Sequence, residues 1–101
     1  MRQFAICALR PRAKRQVWIV VLQHDEMIDW QTRVVAPLIE PRAIKEVTRV
    51  HVRVAFGGRD WLLALDRLAT VNRAELGSSE GSVEDQRHAI IKGLDLIFTG
   101  Y

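Results

Sequence analysis

The chain has 101 residues, 49% of them hydrophobic and 27% charged, which suits one packed domain and excludes both disorder and a separate catalytic domain. Its formal net charge is +3, and Arg2, Arg10, Arg12, Lys14 and Arg15 all precede the first acidic residue, Asp25. That field would draw nucleic acid, an anionic surface or an acidic protein segment without choosing among them.

No run approaches the ~20 apolar residues of a membrane-spanning helix and the N-terminus lacks the pattern of a secretory signal, so a cytosolic protein is expected. The one cysteine, Cys7, has no partner for an intrachain disulfide and no cluster for a zinc site; it reads as a small hydrophobe on a strand.

In chain order the elements read as strands first and a helix last. Residues 3–9 put Phe4, Ile6 and Ala8 on one side and Ala5, Cys7 and Leu9 on the other; both sets are apolar, as in a strand covered on both faces. Pro11 breaks that run, and residues 10–16 form a loop. Residues 17–22 are short, β-branched and apolar, and predict a buried strand.

Polar residues 23–32 form an excursion, a short strand follows at 33–36, and Pro37 and Pro41 bound the next connection. In 47–56, Val50, Val52 and Val54 alternate with Arg49, His51 and Arg53, so one face is core and the other wet and basic. Gly57-Gly58 supplies the positive φ of a tight turn, and residues 59–66 return antiparallel around Trp61.

Residues 77–82 are rich in glycine and serine and predict a loop. Ser82, with Asp85 three residues on, resembles a capping box, so the helix is expected from Val83. Its inner stripe is Val83, Ile90, Leu94 and Ile97, flanked by Ile91 and Phe98; Gly100 stands at the left-handed stop.

Two clusters could carry chemistry. His24, Asp25, Glu26 and Asp29 are a set of mixed metal-ligand types, but their spacing fits no metal motif and aspartates in turns commonly cap backbone amides. The Arg49, His51, Arg53 face could act as a ribonuclease, with an imidazole base and guanidinium groups on phosphate. A lone histidine on a solvated face is the simpler account. No catalytic residue, metal or cofactor is therefore assigned.

The ordered set Gln3-Phe4, Leu22-Gln23 with Asp25 and Ile28-Asp29, Arg33-Val34-Val35-Ala36-Pro37-Leu38, Trp61 ahead of Leu68-Ala69-Thr70-Val71, Gly77, and the close from Ile90 to Tyr101 resembles the CcdB family of toxin–antitoxin toxins. The resemblance spans residues 1–101 as one toxin domain. It implies a mainly β fold, an SH3-like antiparallel barrel with a small additional sheet and a C-terminal helix. It further implies a homodimer that binds the DNA gyrase A subunit, traps the enzyme on cleaved DNA, and is neutralised by a CcdA-like antitoxin.

Carried onto this sequence, the gyrase-facing positions are Met27, Ile28, Asp95, Phe98, Thr99, Gly100 and Tyr101. Ile28, Phe98 and Gly100 match the family. Thr99 stands where the family shows tryptophan, Asp95 where it shows asparagine, and Tyr101 where it shows an aliphatic terminus. Phe98 is expected as the buried root of the tip. The loop with Arg10, Arg12, Lys14 and Arg15, or the basic strand face, is expected to attract the antitoxin's flexible tail. A MazF-like mRNA endonuclease using Arg49, His51 and Arg53, and a non-toxic module that engages only antitoxin, are the alternatives.

Overall fold

Strands that are apolar on consecutive residues, as in residues 4–9 and 17–22, must bury both faces, and here they do so by curling. The computed structural model describes residues 2–10, 16–27 and 30–100. Its strands are β1 (Ala5–Leu9), β2 (Val17–Val21), β3 (Thr32–Ile39), β4 (His51–Phe56), β5 (Arg59–Ala64), β6 (Ala69–Asn72) and β7 (Leu76–Ser82), and its helix is α1 (Arg87–Thr99). The antiparallel order is β4-β5-β3-β2-β1-β7, with β6 also on β3. The expected mainly β fold with a C-terminal helix is thus observed.

The strands β6-β3-β2-β1-β7 form one curled sheet. A single 3-10 turn, Arg73–Glu75, joins its two outer strands. Asn72 caps that turn, its Oδ1 accepting the Ala74 N–H at 2.9 Å. Ala5, Cys7, Ile19, Val21, Val35 and Leu76 form a buried cluster on one side of it. The alternate residues Ile6, Val20, Leu22 and Ala36 join a larger cluster with Val52, Trp61, Leu63, Leu65 and Ile90. The two-sided burial expected of β1 and β2 is therefore real.

Several boundaries differ from the sequence reading, each for a local reason. β1 starts at Ala5 because Phe4, though fully buried, takes a left-handed φ of 68°. The strand through 33–36 runs on past Pro37 to Ile39. On one edge β3 pairs β6 through Val35 and β5 from Leu38, so Pro37 lies at the hand-over, where a missing N–H is least costly. β4 starts at His51 and not at 47, because the N–H groups of Val50 and His51 both turn back to Val47 O.

The expected loop 77–82 is strand β7, bonded to β1 through two register shifts. Its glycines let it lie close: a Cβ on Gly81 would stand 3.2 Å from the Phe56 ring. α1 begins four residues after Val83, behind a 3-10 turn at Glu84–Gln86. Ser82 still serves that turn, its Oγ accepting the Glu84 N–H at 3.1 Å. Gly57 and Gly58 have φ of 62° and 74°, as the two-residue hairpin requires.

Candidate functional site

The helix tip is built by the inner stripe. Ile90 is fully buried, and Leu94 and Ile97 pack on the larger cluster. One residue turns the helix by about 100°, so Phe98 leaves that stripe. It is 69% exposed. The expectation of Phe98 as a buried root is therefore wrong: its ring stands in solvent at the last turn. Ile91, seven residues earlier on the same side, is 38% exposed.

Gly100 ends the helix at φ 83°, its N–H donating to Leu96 O at 3.0 Å. That geometry is the left-handed stop, strained for any residue with a Cβ. The Thr99 hydroxyl donates to Asp95 O at 2.6 Å. Its side chain is folded back on the helix, and the Asp95 carboxylate is exposed beside it. Asp95, Phe98, Thr99 and Gly100 are thus gathered in one turn. Met27 closes a 3-10 turn, Asp25–Met27, between β2 and β3; Ile28 and Tyr101 lie outside the described residues.

The basic face divides. Arg49 and Arg53 are exposed, but His51 is only 5% exposed. Its Nδ1 accepts the Val47 N–H at 2.9 Å, which puts the ring hydrogen on Nε2, 3.0 Å from Asp66 Oδ1. Both nitrogens are committed, so the imidazole has no lone pair free to take a substrate proton. The expectation of a wet His51 is corrected: it is a polar rivet between the turn at 47–50 and the 3-10 turn Leu65–Arg67. Arg53 binds Glu46 through Nε (3.2 Å) and Nη2 (2.6 Å), and this carboxylate holds the guanidinium above its ordinary value.

Arg10 is exposed, and its N–H donates to Glu75 O at 2.7 Å; Arg12, Lys14 and Arg15 lie outside the described residues. In the excursion, Asp25 Oδ1 accepts the Gln3 N–H at 2.6 Å and His24 Nδ1 accepts the Glu26 N–H at 3.1 Å. The first ties the excursion to the segment before β1 and the second caps the turn; Asp29 lies outside the described residues. Among the described residues no three His, Cys, Asp or Glu side chains gather as a metal site.

Arg33 is a charge that the strand pattern of residues 33–36 does not single out. It is 4% exposed, and its Nη1 donates to the carbonyls of Trp30 and Thr32. It ties the excursion to the start of β3. The signal available in the sequence was its place one residue after a polar segment and one before a valine run.

The family model described as CcdB protein matches residues 3–100. An endoribonuclease from a mycobacterial species, solved in complex with its cognate antitoxin, superposes with a TM-score of 0.77 over 94% of this chain and 91% of that one, at 11% sequence identity. At that identity the likeness is one of fold. No curated protein matches the chain by sequence.

Proposed function

The chain belongs to the CcdB family of toxin–antitoxin toxins, and from that premise we propose that it binds the DNA gyrase A subunit through its helix tip and traps gyrase on cleaved DNA. The observation that carries the reading is Phe98, a large aromatic 69% exposed beside a helix stop that fixes its position. Ile91 is exposed on the same side of the helix, and rigid aromatics are the usual anchors of protein interfaces. Met27, Ile28, Asp95, Thr99, Gly100 and Tyr101 complete the proposed contact surface.

In this reading the toxin performs no bond chemistry. It acts by differential binding, holding the state of gyrase in which DNA is cut more tightly than the resealed state. The rest of the proposal is a cytoplasmic homodimer, whose two tips reach the two A subunits, and neutralisation by a CcdA-like antitoxin. The loop with Arg10, Arg12, Lys14 and Arg15 speeds that antitoxin's approach by its charge. Among the described residues no helix is long and apolar enough to cross a membrane.

The test is accumulation of cleaved DNA by gyrase in the presence of ATP. Wild type should produce it. Phe98→Ser should need about 30- to 1000-fold more protein, the effect of losing a central aromatic anchor; a chain ending at Phe98 keeps that ring but loses Thr99, the Gly100 stop and Tyr101, and should also need more protein than wild type. Both variants should keep wild-type circular dichroism, because the changes lie outside the inner stripe of Ile90, Leu94 and Ile97. Equal cleavage by all three proteins would remove the tip from the mechanism. No cleavage by wild type with any bacterial gyrase, alongside intact antitoxin binding, would leave the non-toxic module as the reading.

A further inference from the structure

We propose that the free edge of β4 and the adjoining side of α1 form a docking groove for an extended acidic peptide, which adds to the sheet as a further strand. β4 is the last strand of its sheet, with β5 on one side only. Leu65 N–H donates to Val50 O at 3.0 Å, which sets the alternation along the pair. Counting in steps of two, the backbone groups of Val52, Val54 and Phe56 face β5, and those of His51, Arg53 and Ala55 face outward.

His51 N–H is already bonded to Val47 O. The outward N–H and C=O groups of Arg53 and Ala55 meet no partner among the described residues. An unpaired strand edge is a template for another chain unless it is blocked.

Beside this edge lies a cleft of about 650 Å³, within the range of ligand-binding sites. His51, Val52 and Arg53 line it consecutively, which a strand allows only when it is approached along its edge. From the helix come Ala89 and Lys92, and from its N-cap Gln86, three residues apart and so on one side. Arg53 is neutralised by Glu46. Arg49 and Lys92 have no acidic partner among the described residues.

The groove therefore offers two free cations, an apolar contact at the half-buried Ala89, and two backbone donor–acceptor pairs. An acidic peptide in extended form matches all three features. A nucleic-acid strand would meet the cations, but it has no amide ladder for Arg53 and Ala55. A second copy of this chain would bring the same unpaired cations, Arg49 and Lys92, and no run of acids to meet them. The proposal rests on the chain being one half of a toxin–antitoxin pair, and it is independent of gyrase: the groove is made by β4 and the first half of α1, the tip by its last turn.

The probe is a fluorescein-labelled octapeptide alternating glutamate and valine, titrated into the full chain at low salt and followed by anisotropy and by amide hydrogen exchange. Binding should slow exchange at Arg53 and Ala55. Methylating alternate peptide nitrogens should weaken binding about fivefold for each hydrogen bond lost. Ala55→Pro, which removes an edge N–H without touching the core, should do the same. Lys92→Glu, on the helix surface, should weaken binding by about fivefold or more at low salt and by less at high salt.

Three results would overturn the proposal: no binding of the octapeptide, binding that leaves the Arg53 and Ala55 amides unchanged, or protection of those amides by a uridine octanucleotide in its place. Slow exchange at both amides in the free protein would show the edge already paired with a second copy and would equally end it. The same Ala55→Pro and Lys92→Glu proteins should trap gyrase like wild type. If wild type itself fails to trap gyrase while the octapeptide still protects β4, the gyrase reading falls and the groove stands.

Discussion

Phe4 holds a left-handed φ that costs a bulky residue about 1 to 2 kcal/mol, and it keeps that angle because its surroundings determine it. Its N–H donates to Val21 O at 2.6 Å, its carbonyl accepts the Val83 N–H at 2.9 Å, and its ring is fully buried with Arg87 over one face. A strand pattern read from residues 3–9 cannot reveal this, because both bonds come from distant segments. Cys7 was legible: a small apolar residue in a strand apolar on both sides. Burial pushes its thiol above the ordinary value, so the reactive thiolate is scarce and shielded. A disulfide reagent should label Cys7 only after denaturant is added; labelling of the native protein at the same rate would mean that the inside of the curled sheet opens freely. Thr99 invites the opposite kind of change. Replacing it with tryptophan gives up one exposed hydroxyl bond to Asp95 O and adds a flat ring beside Phe98. On a gyrase with an arginine to receive it, Thr99→Trp should lower the concentration for half-maximal DNA cleavage by about 2- to 30-fold, the effect of one cation–π contact.

At the scale of elements, α1 is placed by a glycine that no periodicity singles out. Gly93 is buried, and a Cβ there would stand 2.5 Å from Leu65 Cδ1 and 3.0 Å from Arg49 O. The helix thus touches the backbone leading into β4 and the 3-10 turn after β5 at one point. Alanine is the better helix former by about 1 kcal/mol, yet Gly93→Ala should destabilise the protein by about 1 to 2 kcal/mol net, because the main chain at Arg49 cannot give way as a side chain can. Urea unfolding measures this, and an unchanged or raised midpoint would mean that the helix lifts off without loss. The elements that were legible, β2, the β4–β5 hairpin and the body of α1, carry local signals: a β-branched run, Gly57-Gly58, and a stripe at helical spacing. In sequence β7 has the composition of a loop, because glycine and serine dominate it, and only its bonds to β1 make it a strand. β6 carries no signal beyond a short Ala-Thr-Val-Asn run and exists because β3 offers it an edge. The helix tip was legible in its glycine stop and in its chain positions, but not in the exposure of Phe98, which depends on where the inner stripe comes to rest.

Across the whole molecule, the two hydrophobic clusters are not independent, because β1, β2 and β3 send alternate residues to each. Val20 and Leu22 serve the larger cluster and Val21 the smaller one. A loss on either side therefore loosens strands that the other side needs, and the chain should unfold in a single transition. Leu63→Ala in the larger cluster and Val21→Ala in the smaller one both remove buried side chains that are 0% and 1% exposed. The first should cost about 2 to 5 kcal/mol, the second somewhat less because fewer methyl groups are lost. Each kilocalorie lowers the melting temperature by about 4 to 8 °C in a domain of this size. The three tryptophans give a local probe: Trp61 lies in the larger cluster and Trp18 packs against it, 4.9 Å from the Phe56 ring. Their fluorescence and the far-ultraviolet circular dichroism of the sheet should therefore report the same melting curve in wild type and in both variants. A fluorescence transition that stays put in Val21→Ala while the dichroism moves would show two separately melting halves. Repeating the melts over a hundredfold range of protein concentration adds the assembly to the same experiment. A homodimer that folds with its interface gains stability by mass action, so its midpoint should climb with concentration. A midpoint independent of concentration, with a monomer in sedimentation at micromolar protein, would leave a single-headed protein unable to hold both A subunits of one gyrase.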